Sequence, residues 1–337
     1  MKEVAPGIFM ITETENGRFV KFSVNVYVIA ESDGLIFDAG YGRKKTARFL
    51  ISEIDKIKDE MKSRGEASQI DRILPSHGHW DHFSGITRLR KMTGIKVFAT
   101  KRMLEKIGSK KIYRSSFRRS TDIINVPVSA LSRLWYKIGH AFIDEIYLKT
   151  FGVSFVKEPV EIIEEDATIS TGKREWEVIY LPGHCDDHIV LYNRKDGILL
   201  SGDMLLRTVT TWLGPPRSNL DDYIKSLEFL LTLPELKLIL PAHGSPITEP
   251  QSRIKEAIFH RKKRTDDLLA LIREKRSAGI SFNQIFDKYY PKVKMYEKYI
   301  LRGWILTTLE YLNDKNLITA SVDGKTKKFR VVKQDLS

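Results

Sequence analysis

His77-Gly78-His79-Trp80-Asp81-His82 places four potential metal ligands within six residues, directly after the apolar run Ile70–Leu74 and the breaker Pro75-Ser76. Histidines rarely cluster so tightly on a surface, and a packed core does not accept an unpaired Asp81. From a strand end, the alternating His77 and His79 can aim at one cation. Asp81 and His82 follow one turn later, placed for a second cation nearby. Imidazole with carboxylate suits Zn²⁺, with Mn²⁺ and Fe²⁺ as the alternatives.

Three later segments carry further candidate ligands. His184 follows the turn Leu181-Pro182-Gly183, Asp203 ends Leu200-Ser201-Gly202-Asp203, and His243 ends Leu238-Ile239-Leu240-Pro241-Ala242-His243. Each is a polar residue after an apolar run, where a sheet presents side chains into a cleft. With the first segment, they complete two metal shells.

In its ordered HxHxDH, PGH, SGD and PAHG motifs the chain resembles the metallo-β-lactamase superfamily, over most of residues 1–250. The resemblance implies an α/β fold, a four-layer αβ/βα sandwich with two metals at one edge. It implies His77, His79 and His184 on metal one, and Asp81, His82 and His243 on metal two, with Asp203 bridging. Asp38-Ala39-Gly40 falls where the family has a buried Asp-Thr-Gly that braces the metal loops, and Ala39 removes the hydroxyl. The flavodiiron branch has a Glu where this chain has His79, which argues against that function.

The implied reaction is hydrolysis by a metal-bridging hydroxide, because divalent cations bring the pKa of bound water to about 7. Asp81 is the candidate that orients the nucleophile, and His188 the candidate general acid or substrate contact. Cys185 is expected to pack beside the site. The segment His184-Cys185-Asp186-Asp187-His188, with His260-Arg261-Lys262-Lys263-Arg264, resembles the lactamase-like endoribonucleases, whose C-terminal domain is winged-helix-like.

Working outward, Val24, Val26 and Val28 alternate with Asn25 and Tyr27 as in a half-buried strand, and Leu35-Ile36-Phe37 returns as another. Residues 43–61 have helical spacing. Between 101 and 157 the strand rhythm lapses, and the apolar residues of Leu131–Leu148 suit a helix, so a helical insertion or lid is expected. Its first part holds Lys101, Arg102, Lys106, Lys110, Lys111, Arg114, Arg118 and Arg119 against the single acid Glu105. That is an anion-binding edge or an exposed loop.

Net charge is +13 over 337 residues, and residues 251–337 supply 20 of the 56 Lys+Arg but 10 of the 43 Asp+Glu. A change of domain is therefore expected near residue 250. Arg253–Arg276 and Lys298–Asn313 read as helices, followed by strands around 317–321 and 328–332 that flank an Asp323-Gly324 turn. That outline is a winged helix.

The composition excludes a disulfide scaffold, since Cys185 is alone. No apolar leader opens the chain, and no run of 18 residues is apolar and uncharged. A cytoplasmic protein without a membrane partner is expected, and a homodimer is compatible with it. The leading expectation is a dinuclear hydrolase of RNA phosphodiesters, with single-stranded RNA as partner. The alternative is a hydrolase of small acyl substrates, a glyoxalase II-like thioesterase or a lactonase. The metal motifs do not separate the two.

Overall fold

The computed structural model describes residues 1–16, 21–116, 123–124, 145–146, 148–208, 210–293, 295–324 and 326–332. Seven strands form the first sheet in chain order: β1 (Lys2–Ala5), β2 (Ile8–Asn16), β3 (Lys21–Ile29), β4 (Gly34–Phe37), β5 (Ile70–Leu74), β6 (Lys96–Ala99) and β7 (Glu161–Ile162). The first four pair antiparallel and the last four parallel. Parallel pairing needs crossovers, and helices supply them. Helix α1 (Lys44–Ser63) buries Ala47, Leu50, Ile54, Ile57 and Met61, one stripe at helical spacing. The single turn α2 (Trp80–Phe83) and α3 (Ile86–Thr93) complete the next crossover.

The second sheet has the order β12-β11-β10-β9-β8, with β8 (Thr168–Ser170), β9 (Glu175–Tyr180), β10 (Ile189–Asn193), β11 (Ile198–Gly202) and β12 (Leu238–Pro241). Its strands read as continuous apolar runs because both faces are covered. Ile189, Leu191, Ile198 and Leu200 enter the core between the two sheets. Their neighbours Val190, Tyr192 and Leu199 pack instead against α6 (Leu220–Leu230) and the start of α7 (Pro250–Glu274). These layers build the expected α/β metallo-β-lactamase sandwich.

The polar ends of the strands meet at one edge. Asn25 of β3 donates its side-chain amide to the Pro241 and Gly244 carbonyls, and Tyr27 donates its hydroxyl to Pro241. These bonds tie the end of β12 across to the first sheet, so loops after β4, β5, β9, β11 and β12 converge.

Within the expected insertion, α4 (Lys101–Ile107) and α5 (Lys110–Ser116) bury Met103, Ile107 and Tyr113 in the inter-sheet core. The helix expected over 131–148 lies, except for residues 145, 146 and 148, outside the described residues, as do Arg118 and Arg119. The return of this segment is docked: Phe151 packs on Trp80 and Tyr41, with ring centroids 4.3 and 6.0 Å away.

After α7 come β13 (Ile280–Ser281), α8 (Phe282–Tyr289), α9 (Met295–Asp314), β14 (Ile318–Asp323) and β15 (Thr326–Val331), with a sheet of order β13-β15-β14. They enclose a core of Leu268, Ile272, Ile285, Ile305, Leu309 and Phe329. The chain enters α7 at residue 250, where a division is expected, but packing runs across it. Ile254, Ala257 and Ile258 join the core beneath the second sheet. Among the described residues, no helix is long and apolar enough to cross a membrane.

Candidate metal centre

Pro75 stops β5, and the chain turns through Ser76 into the ligand segment, which closes as α2. Nε2 of His77 lies 2.8 Å from Nδ1 of His79, while Nε2 of His184 lies 2.9 Å from His79 Nδ1 and 3.3 Å from His77 Nε2. The other nitrogens fix the tautomers. His184 Nδ1 donates to the Trp212 carbonyl at 2.8 Å, and His77 Nδ1 donates to Ser76 Oγ at 2.9 Å. The facing Nε2 atoms of His77 and His184 therefore both carry lone pairs. Such an arrangement repels itself unless a cation sits between them.

The second group is carboxylate-rich. His82 Nε2 is 3.6 Å from an Asp203 oxygen and 3.7 Å from an Asp81 oxygen, and it is buried without a hydrogen-bond partner. His243 Nε2 is 3.3 Å from Asp203 and 3.5 Å from Asp81. Ligands each about 2.0–2.2 Å from one ion stand at such mutual separations. Asp203 also approaches His184 Nε2, at 3.5 Å, so it faces both groups. The seven residues converge as three overlapping sets, His77 with His79 and His184, His77 with His82 and Asp203, and Asp81 with His82 and His243. They fit two divalent cations.

The electrostatics differ between the two halves. Burial, reinforced by neighbouring imidazoles, holds His77 and His79 well below the usual histidine range, so both stay neutral ligands. Burial also opposes a proton on His82 and His243. There the carboxylates outweigh it, raising His82 and carrying His243 up to about 9. The same carboxylate charge would hold a cation once those protons leave.

Asp38 lies behind the second group. It accepts Ser76 N at 2.7 Å, Ser76 Oγ at 3.1 Å and His82 Nδ1 at 2.9 Å. One carboxylate thus sets the tautomers of His82 and, through Ser76, of His77. The neighbouring Ala39 is buried and donates its amide to the His82 carbonyl.

His188 is fully buried behind the ligands, where its Nε2 accepts the Asp203 amide at 3.1 Å. Cys185 is buried too and donates to Asp187 Oδ1 at 3.0 Å, and burial pushes its thiol pKa up. Its sulfur lies with the His77 group. Asp81 and His243 are partly exposed, their side chains 14% and 24% accessible, so the second group lies nearer the solvent.

Sequence reasoning missed a brace between the two ligand loops. Arg217, 4% exposed, pairs with Asp187 and, at 3.0 Å, with Asp186, and it donates to the Gly78 carbonyl at 3.2 Å. Asp187 accepts the Gly78 amide at 3.1 Å, and a Cβ at Gly78 would stand 2.7 Å from that carboxylate. Ser218 donates to the His184 carbonyl at 2.6 Å. Asp187 lies within a motif, but Arg217 follows Pro215-Pro216 with no local pattern to mark it.

A family model described as Metallo-beta-lactamase superfamily matches residues 20–243. The "Probable metallo-hydrolase YqjP" of Bacillus subtilis (strain 168) is 25% identical over 328 residues, 94% of this chain and 96% of that one. The "Acyl-coenzyme A thioesterase MBLAC2" of Gallus gallus is 24% identical over 72% of this chain and 79% of its own. Among solved structures, metallo-beta-lactamase family protein TTHA1429 from Thermus thermophilus superposes with a TM-score of 0.70 at 18% identity, covering 98% of this chain and 100% of that one. That likeness of fold includes the region after residue 250.

Proposed function

The chain belongs to the metallo-beta-lactamase superfamily and is a metal-dependent hydrolase, and on that premise we propose that it hydrolyses thioesters of the acyl-coenzyme A type, using two divalent cations, Zn²⁺ by the donor set. Four of the six described basic residues over 101–116 are already paired. Arg102 bonds Glu165 at 2.6 Å, Lys106 bonds Asp186 at 2.7 Å, and Lys110 and Arg114 share Glu145. Phosphates would have to compete with those carboxylates whether they belonged to RNA or to coenzyme A, so these pairs do not separate the two. The observation that carries the reading is that a relative described as an acyl-coenzyme A thioesterase aligns over 72% of the chain.

The chemistry of the leaving group supports the same choice. A thiol has a pKa of about 8.5 and departs as thiolate without a proton. An alkoxide departing from RNA needs an acid or metal at the leaving oxygen. His188, the non-ligand histidine beside the cluster, is buried against Asp203 and has no path to a substrate.

When bound, the cations supply a water of lowered pKa and polarise the scissile carbonyl. His77, His79 and His184 would hold one cation; Asp81, His82 and His243 would hold the other, with Asp203 facing both. Asp38 and Ser76 keep the imidazole lone pairs turned inward. Asp81, at the open side, accepts the proton that the attacking water sheds. The substrate enters past Asp81 and His243.

RNA cleavage is the second reading, favoured by the excess of Lys and Arg after residue 250. The order of helices and strands over 250–331 supports a winged-helix-like domain there. One assay separates the readings: metal-quantified protein on a panel of acyl-CoA thioesters and lactones and on labelled single-stranded RNA, with an Asp81→Ala, His82→Ala double variant as blank. Thioester turnover that is lost in the blank, with RNA intact, is the expected result. RNA cleavage lost in the blank, without thioester turnover, would overturn it.

A further inference from the structure

Trp212 stands at the rim of the first ligand group. Its indole remains 36% exposed, and its ring centroid lies 6.1 Å from that of His79, at an interplanar angle of 66°. Its carbonyl takes the His184 Nδ1 hydrogen. A solitary exposed aromatic is ordinary on a protein surface. This one is held rigidly, and by two parts of the chain.

Two glycines lie against the indole. A Cβ on Gly214 would fall 2.3 and 2.4 Å from Cζ2 and Cη2 of the ring. A Cβ on Gly303, in α9, would fall 2.9 Å from its Nε1 and 2.4 Å from the Leu213 carbonyl. No side chain fits at Gly214 without moving the ring, or at Gly303 without moving both the ring and the Leu213 backbone. Arg261 of α7, itself 4% exposed, donates to the Thr211 carbonyl just before it, and Arg253 donates to Leu206 at 2.7 Å. Leu206 and Thr211 are thus fastened to α7. The face of α9 that carries Gly303 is occupied by this contact.

We propose that Trp212 is the apolar wall against which the acyl portion of the substrate lies, and that Gly303 is the positioning residue through which the C-terminal region sets that wall. The inference rests on the thioester reading. A flat ring beside His79, pre-fixed at its edge, contributes contact area without an ordering cost on binding. An acyl chain that extends from a carbonyl held at the metals would meet this ring.

The test measures KM and kcat for acetyl-CoA and decanoyl-CoA with wild type, Trp212→Ala, Trp212→Phe and Gly303→Val, each with its metal content determined. Alongside, fluorescence is titrated with the non-hydrolysable decyl thioether of coenzyme A and with a single-stranded oligonucleotide, Trp212→Phe providing the background. The expected result is a KM for decanoyl-CoA raised about ten-fold in Trp212→Ala and Gly303→Val. Acetyl-CoA should shift less than about two-fold, Phe should restore most of the difference, and the thioether should quench Trp212. Should Gly303→Val lose its metals or its fold, the two Trp212 variants decide. Wild-type thioester turnover whose chain-length dependence is unchanged in Trp212→Ala overturns the inference and leaves the thioester reading standing. Quenching by the oligonucleotide and not by the thioether, with no thioester turnover, overturns both.

Discussion

Asp38 accepts three hydrogen bonds with one carboxylate, from the Ser76 amide, the Ser76 hydroxyl and His82. An Asp38→Asn change keeps the shape but replaces one acceptor oxygen by a donor, so one of those partners faces an N–H. Activity should fall about 10–100-fold, as for other residues that orient metal ligands. Metal analysis should show the loss mainly at the second site, which His82 serves. At the first site the corresponding residue is Arg217. Removing its charge in Arg217→Met leaves Asp187 buried and uncompensated, at a cost of about 3–5 kcal/mol. Denaturant unfolding checks the magnitude. The double change Arg217→Met, Asp187→Leu should cost less than the sum of the singles, because the charges then leave together. The candidate ligands were legible in the sequence because four crowd into six residues and the other three each follow an apolar run. Arg217 was not, because its partners Asp186, Asp187 and Gly78 lie far from it along the chain.

Among elements, those with a strong period were legible. The β3 valines, the β4 triplet, α1, α7 and α9 all lie where their apolar spacing predicts. The two-residue strands β7 and β13 were not, since so short a stretch has no period to read. Helix α8 was missed as well, although its start carries a signature. Ser281 Oγ accepts the Gln284 amide, and the Gln284 side chain accepts the Ser281 amide at 2.9 Å, a complete capping box. Ser281→Ala should cost about 1 kcal/mol. Hydrogen exchange would register it as faster opening of the amides in Phe282–Tyr289, with little change in β10 or β11.

At the scale of the molecule, the basic excess after residue 250 suggested a change of domain. Residues just past that point also pack on the first part: Ile254, Ala257 and Ile258 share a core with Leu205, Leu213 and Tyr223. A chain ending at residue 249 would expose that core, and we expect it to aggregate or to lose its metals, measured by gel filtration and metal analysis. Charge makes a second prediction at this scale. Several of the cations counted in the sequence are paired, among them Lys262 with Glu228, Lys263 with Asp267 and Lys315 with Asp221. Coenzyme A presents only a few phosphates, so thioester turnover should fall by less than about ten-fold between 50 and 200 mM salt. A protein gripping six to ten phosphates would lose about 10³–10⁵ in affinity over the same range.

The HxHxDH segment with His184, Asp203 and His243 was enough to pick out seven residues that folding brings together and to specify the α/β fold, because metal ligation demands a few residue types, and strands deliver them at fixed points after apolar runs. Residues on different elements, brought together only by folding, decided the rest. The Arg217–Asp187 brace, the seat of Trp212 against Gly303, and pairs such as Lys262 with Glu228 join positions far apart in sequence. No local period or composition encodes such contacts, since each depends on where two separate elements pack.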